Sequence, residues 1–245
     1  MSGRRVAALD PEIRALDLRV VGILLLTCLL LALYAYVGTD DYYTRRLAAR
    51  VNEWLGPPAA GEMRAFWYQS ASAVLWRMVV PLLWIVLVLR ESPRDFGYRL
   101  PERGHRAVYG VLFLAMLPLL GAASLLDQFQ RAYPIYPEAY ASPALLVPYL
   151  LAYGLRFAAV EAFFRGFLLF GLYRRFGYYS VAIMAVPYCM IHFNKPFLEA
   201  LGSVVAALLL GYLALRGRSW VAGAILHWAV AISMDLMGLV RPGEG

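Results

Sequence analysis

Seven apolar runs, each about the length needed to cross a bilayer, dominate this chain: 18–37, 70–89, 108–126, 144–172, 179–193, 197–215 and 220–240. A spanning helix needs about 20 such residues, and continuous runs predict helices, whereas a membrane barrel would show alternating segments of about ten. The fifth run is the shortest and contains Pro187. Only 16% of the 245 residues are charged and the mean hydropathy is +0.61, against about 25% charged in a soluble domain. The sequence therefore predicts an all-α, polytopic transmembrane helical bundle of about seven spans. It divides into an N-terminal segment 1–17, a single transmembrane domain 18–240 and a tail 241–245. The first run lacks a small-x-small cleavage pattern and is expected to stay as a span rather than leave as a signal peptide.

Net charge is +7, and 22 of the 23 basic residues are arginine, Lys195 being the exception. The arginines are scattered singly or in pairs between apolar runs, without the aromatic-interleaved stripe of a nucleic-acid surface. They instead follow the rule that basic residues accumulate on the cytoplasmic side. Arg19, the cluster Arg90, Arg94, Arg99, Arg103 and Arg106, and the pairs Arg174/Arg175 and Arg216/Arg218 all fall on the N-terminus or the even-numbered loops. A cytoplasmic N-terminus in a bacterial inner membrane is expected, the arginine bias fitting a high-GC source. Arg45, Arg46 and Arg50 in the first loop break the trend. Tyr43, Leu47, Val51 and Trp54 recur there at helical spacing, however, so that loop predicts an amphipathic helix in the headgroup layer, stopped by Gly56-Pro57-Pro58. The Tyr- and Pro-rich stretch 127–142 is expected to anchor at the interface through its aromatics. Cys28 and Cys189 lie in apolar runs and form no metal or disulfide motif.

Ionisable residues inside apolar runs carry the functional signal, since each costs roughly 2.5–3.5 kcal/mol at the bilayer centre on insertion scales and so tends to face a bundle interior. Glu161 and Arg165 stand four apart in the fourth run, on one helical face, where pairing that merely fixes helix register is the simpler role. His192 closes the fifth run before Asn194-Lys195-Pro196, where bonding to backbone is the simpler role, and His227 lies in the last run. Arg77 sits mid-span in the second run, a candidate partner for Glu161 or Asp235. Arg156 precedes Glu161 by little more than a turn and could contact a substrate carboxylate or another helix. Gly154, Gly166 and Gly211 are expected at close helix contacts.

The segments Val160-Glu161-Ala162-Phe163-Phe164-Arg165-Gly166, Tyr188-Cys189-Met190-Ile191-His192 and His227-Trp228-Ala229-Val230-Ala231 resemble, in order and spacing, three motifs of the CPBP family. This is the CAAX-protease and bacteriocin-processing group of intramembrane proteases. Its patterns are Glu-Glu-x-x-x-Arg, Phe-x-x-x-His and His-x-x-x-Asn/Asp, and the likeness covers about residues 90–240. It implies an endopeptidase that hydrolyses membrane-associated substrates near their C-terminal end. By position Glu161 matches the second motif glutamate, Arg165 the motif arginine, His192 the water-activating histidine and His227 the oxyanion histidine. The chain departs from the pattern at Val160, where the family has its base glutamate, at Ala231 for Asn/Asp, and at Tyr188 for Phe. Three substitutes are open: a helix rotation that makes Glu161 the base, Asp235 two turns beyond His227, and Asn194 as oxyanion donor. Glu161 is favoured as the only carboxylate in the matched motif.

Glu161, His192 and His227 would also suit a catalytic zinc, but no His-Glu-x-x-His is present, and a metal-free glutamate-type site ranks above zinc. Expected partners are the lipid bilayer and a membrane-anchored protein or peptide substrate, with no nucleic acid. Two rivals remain. One is a proteolytically silent scaffold or immunity protein, on the strength of Val160 and Ala231. The other is a small transporter or channel using Arg77, Glu161 and the histidines.

Overall fold

A computed structural model describes residues 16–58 and 63–240. The segment predicted for 1–17 falls almost wholly outside these residues, and the tail 241–245 entirely so. The described residues fold into helices with no strand: α1 Leu18–Val37, α2 40–55, α3 Met63–Leu89, α4 Arg103–Ser124, α5 Asp127–Ala132, α6 Pro143–Phe176, α7 Tyr179–Met190, α8 Phe197–Gly217 and α9 Val221–Leu239. Six of these (α1, α3, α4, α6, α8 and α9) are long and apolar enough to cross a membrane, and α7 is a shorter apolar helix. The expected multi-span helical bundle is thus found.

Helix α6 is the central post. From Ala159 to Leu169 every residue is buried, as required of a helix that is apolar all round. Phe163, Phe164, Phe167 and Leu168 pack with Ile23 and Leu30 of α1, Ile85 of α3 and Met184 and Tyr188 of α7. Leu25, Leu29, Leu87, Leu114, Leu119 and Leu151 are instead more than half exposed. Such apolar surface would be an aggregation hazard in water and is what a lipid-facing surface requires. The expected close contacts are present: a Cβ on Gly154 would lie 3.1 Å from the Trp228 ring, one on Gly166 3.1 Å from Trp220, and one on Gly211 2.9 Å from Val181.

Local chemistry sets the ends. The Asp17 carboxylate accepts from the backbone N–H groups of Arg19 and Val20, capping α1. Helix α2 carries exposed Arg45, Arg46 and Arg50 opposite buried Tyr43 and ends at Gly56, where φ is +75°, matching the amphipathic element predicted for that loop. At one end of the bundle Glu91 accepts from Arg19 Nε (3.0 Å) and Arg174 Nη1 (3.2 Å), while the Ser219 hydroxyl donates to the Arg99 carbonyl. The ends of α1, α3, α6 and α8 are thereby gathered.

The opposite end differs from expectation. Tyr133 and Tyr136 are buried rather than lying out in a headgroup layer, because segment 127–142 folds back onto the bundle. Asp235 of α9, without exposed surface, accepts from the Ile135 N–H (3.0 Å) and from the hydroxyls of Tyr140 (3.1 Å) and Tyr149. Tyr133 donates to Glu199 Oε2 at 2.6 Å. Burial first, and the Glu199 carboxylate second, push the Tyr133 phenol far above its usual range, so it remains a donor.

Candidate active site

Glu161 and Arg165 lie where α6 passes from an α-helical run into a π-type stretch, Ala162–Phe170, a distortion frequent at functional sites. Both side chains have no exposed surface, and Arg165 Nη1 donates to Glu161 Oε1 at 3.0 Å. The same oxygen meets His227 Nδ1 of α9 at 2.9 Å. Two of the four residues expected at the site, Arg165 and His227, therefore converge on one carboxylate oxygen of a third, Glu161. Glu161 Oε2 is buried with no hydrogen-bond partner among the described residues. It faces Gly223, one turn before His227, where a Cβ would lie 3.3 Å away. Gly223 thus lets α9 approach the carboxylate. Its spacing from His227 is the sequence signal that could have marked it.

Arg165 is held by more than its carboxylate. Its guanidinium stacks 3.8 Å from the Tyr188 ring centroid, and Nη2 donates to the Ala206 carbonyl at 3.3 Å, so α7 and α8 both fix its position. His227 packs against Phe157, with ring centroids 4.4 Å apart. Neither Tyr188 as an arginine platform nor Ala206 as an acceptor was legible from motif spacing.

His192 occupies the turn after α7. Its Nδ1 lies 2.8 Å from the Tyr188 carbonyl, and no hydrogen bond joins it to Glu161. Because a carbonyl only accepts, Nδ1 of His192 must carry the proton, which leaves its Nε2 with the lone pair. The Glu161 carboxylate likewise requires a proton on Nδ1 of His227.

The remaining candidates lie elsewhere. Asp235 serves the folded-back segment described above and not the Glu161 cluster. Asn194 lines an open cavity of about 750 Å³ at the end of the bundle, with Gln128, Arg131 and Lys195. It has no hydrogen bond to the cluster. Arg77 pairs with neither Glu161 nor Asp235, and its guanidinium lies 3.7 Å over the Tyr34 ring instead. Val160, at the position of the family's first glutamate, is buried in the apolar core with Phe163 and Phe164, and Ala231 is walled by Phe66 and Tyr149. Among the described residues no three His, Cys, Asp or Glu side chains come close enough to hold a metal ion. The set Glu161, His192 and His227 is therefore not assembled as a zinc site.

Fold and site together define a multi-pass helical membrane protein that buries an acid, an arginine and a histidine on facing helices. Residues 142–233 match the family model described as type II CAAX prenyl endopeptidase Rce1-like, which bears out the CPBP resemblance. The matched segment contains Glu161, Arg165, His192 and His227 and stops short of Asp235. No curated protein and no solved structure matches the chain.

Proposed function

We propose that this protein is an intramembrane endopeptidase that hydrolyses peptide bonds of membrane-associated proteins near their C-terminal ends, with Glu161 as the base. The observation that carries this reading is the convergence of Arg165 and His227 on one oxygen of a fully buried carboxylate, inside the family-matched segment. Two donors on Oε1 fix the carboxyl group and leave Oε2 as the oxygen free to take a proton. Water gives its proton to Oε2, and its oxygen attacks the scissile carbonyl carbon. Collapse of the tetrahedral species breaks the C–N bond, and the proton passes from Glu161 to the leaving amine.

The histidines fit the two remaining tasks. The Nε2 lone pair of His192 orients the attacking water. His227, with Nδ1–H held by the Glu161 carboxylate, supports an imidazolium whose Nε2–H donates to the developing oxyanion. Arg165 positions the carboxylate and does not touch substrate.

The test uses the full-length protein in vesicles together with bacterial membrane proteins, in water enriched in oxygen-18. Product termini are read by mass spectrometry. Wild type is expected to generate new C-termini carrying the heavy oxygen. Glu161→Gln, which keeps an acceptor for Arg165, should lower their yield by about 10²–10⁴-fold, the range for loss of a general base. Equal yields from the variant, or no new termini from a folded wild type, would exclude this function.

A further inference from the structure

At the end of the bundle opposite the Arg19–Glu91 pair, helix α5, the turn after α7 and the start of α8 line one open cavity of about 750 Å³. Arg131 and Lys195, the chain's sole lysine, both line it, together with the amide side chains of Gln128 and Asn194, and no carboxylate does. Neither cation takes part in an ion pair among the described residues. Glu199, in the first turn of α8, accepts from the Tyr133 hydroxyl instead. Two like charges lining one concavity repel each other, and an anion seated there offsets that repulsion.

Local structure sets the lining. Phe129 is buried against Leu120, Tyr133 and Met234, so Gln128, Arg131 and Ala132, spaced as neighbours on a helix surface, give the cavity another face of α5. Gln128 Oε1 accepts from the Phe197 N–H at 3.3 Å, which ties α5 to the start of α8. The Lys195 N–H donates to the His192 carbonyl at 3.0 Å, closing the turn that supplies Asn194 and Lys195. On α8 the lining is the stripe Phe197, Ala200, Leu201 and Val204. Phe193, Phe197 and Leu201 are more than half exposed, and because α8 is a span, that stripe faces lipid. The cations therefore stand beside acyl chains at the edge of the bilayer. Ala206, whose carbonyl accepts from Arg165, lies about 200° round the helix from Val204. Helix α8 itself thus separates the cavity from the Glu161 cluster, which favours a lipid over a peptide awaiting hydrolysis.

We propose that this cavity binds the headgroup of an anionic phospholipid, with Arg131 and Lys195 holding the phosphate and Phe193, Phe197, Leu201 and Val204 lining the path of an acyl chain. A phosphodiester carries a full negative charge on oxygens that accept from guanidinium and ammonium groups alike. The volume falls within the range of about 300–1,000 Å³ usual for small-ligand sites, room enough for a headgroup. Lipid binding here is independent of the endopeptidase reading. A free phosphate and a peptide carboxylate offer related chemistry, and the experiment separates them.

Full-length protein would be released from nanodiscs holding equal amounts of phosphatidylglycerol and phosphatidylcholine, and the lipid it retains quantified by native mass spectrometry. The proteins compared are wild type, Arg131→Gln/Lys195→Gln and Arg50→Gln, all three side chains being exposed, so that the core is untouched. Arg50 lies on α2 and does not line the cavity. Wild type is expected to prefer phosphatidylglycerol by about tenfold or more, the effect of a charge-assisted hydrogen bond. The double variant should lose that preference and Arg50→Gln keep it. Equal retention of the two lipids by wild type overturns the site, as does a preference that survives the double variant or is lost equally in Arg50→Gln. Inorganic phosphate that displaces phosphatidylglycerol from wild type at equal concentration overturns the lipid assignment in favour of a free anion. Displacement by an apolar tetrapeptide acid, but not by its C-terminal amide, overturns it in favour of a peptide terminus.

Discussion

Arg165 and Glu161 have no exposed surface, so each is the other's main compensation for leaving water. Removing one partner strands a buried charge, which typically costs about 3–5 kcal/mol, whereas replacing both by apolar side chains of similar size is often nearly neutral. Arg165→Met is therefore expected to lower the thermal stability of the protein in nanodiscs sharply, and Glu161→Met/Arg165→Met to recover most of the loss. If the double variant were as unstable as the single, the Tyr188 stacking and the Ala206 bond would be holding Arg165, and the ion pair would matter little. The pairing itself was legible, because residues four apart share a helical face. The orientation of the carboxylate was not. Which histidine meets Oε1 depends on how α6 and α9 pack, and nothing in the spacing of Glu161, His192 and His227 encodes that.

Element boundaries were recoverable where the hydrophobic run and the end signal coincide. Helix α1 begins and ends where its apolar run does, since Asp17 caps one end and Gly38 follows the other. Helix α3 starts seven residues before the run at 70–89, at Met63. Arg64 and Gln69 lower its hydropathy without breaking its hydrogen bonds, so the helix continues past the part that suits lipid. Segment 127–142 misled for a related reason. Its tyrosines have the composition of an interfacial belt, but a buried acceptor 100 positions away from Ile135 draws the segment inward. No local pattern announces such a contact. Asp235→Ala leaves the Ile135 N–H and two tyrosine hydroxyls without their acceptor, and the expected cost is about 3 kcal/mol or more. Amide hydrogen exchange across 127–142 should rise well above that of α6 in the same variant. An unchanged exchange pattern would show that aromatic packing alone, such as Tyr140 on Tyr149 with centroids 5.9 Å apart, keeps the segment in place.

At the scale of the whole molecule, the arginine-rich segments assigned to one side from sequence do meet at one end of the bundle. Arg19, Glu91, Arg174 and the Gly171 carbonyl join the ends of α1, α3 and α6, and the Glu102 N–H bonds the Gly217 carbonyl at the end of α8. The opposite end holds Glu138, Glu199 and the Asp235 cluster, with Lys195, Arg131 and the exposed Arg45, Arg46 and Arg50 of the amphipathic helix α2, the exception to the trend. This asymmetry was legible because it needs only loop composition and the alternation of spans, whereas the site needs side-chain directions. By the positive-inside rule the arginine-rich end is expected to face the cytoplasm, with segment 127–142 on the far side. The expectation is checked by replacing Cys28 and Cys189 with serine and introducing Arg94→Cys or Glu138→Cys, both at exposed positions. A membrane-impermeant maleimide applied to intact cells should label the Glu138→Cys protein at once and the Arg94→Cys protein only after permeabilisation. The reverse pattern would invert the bundle. It would also place the Glu161 cluster within reach of a different set of substrate tails, because α6 would then enter the membrane from the cytoplasmic side.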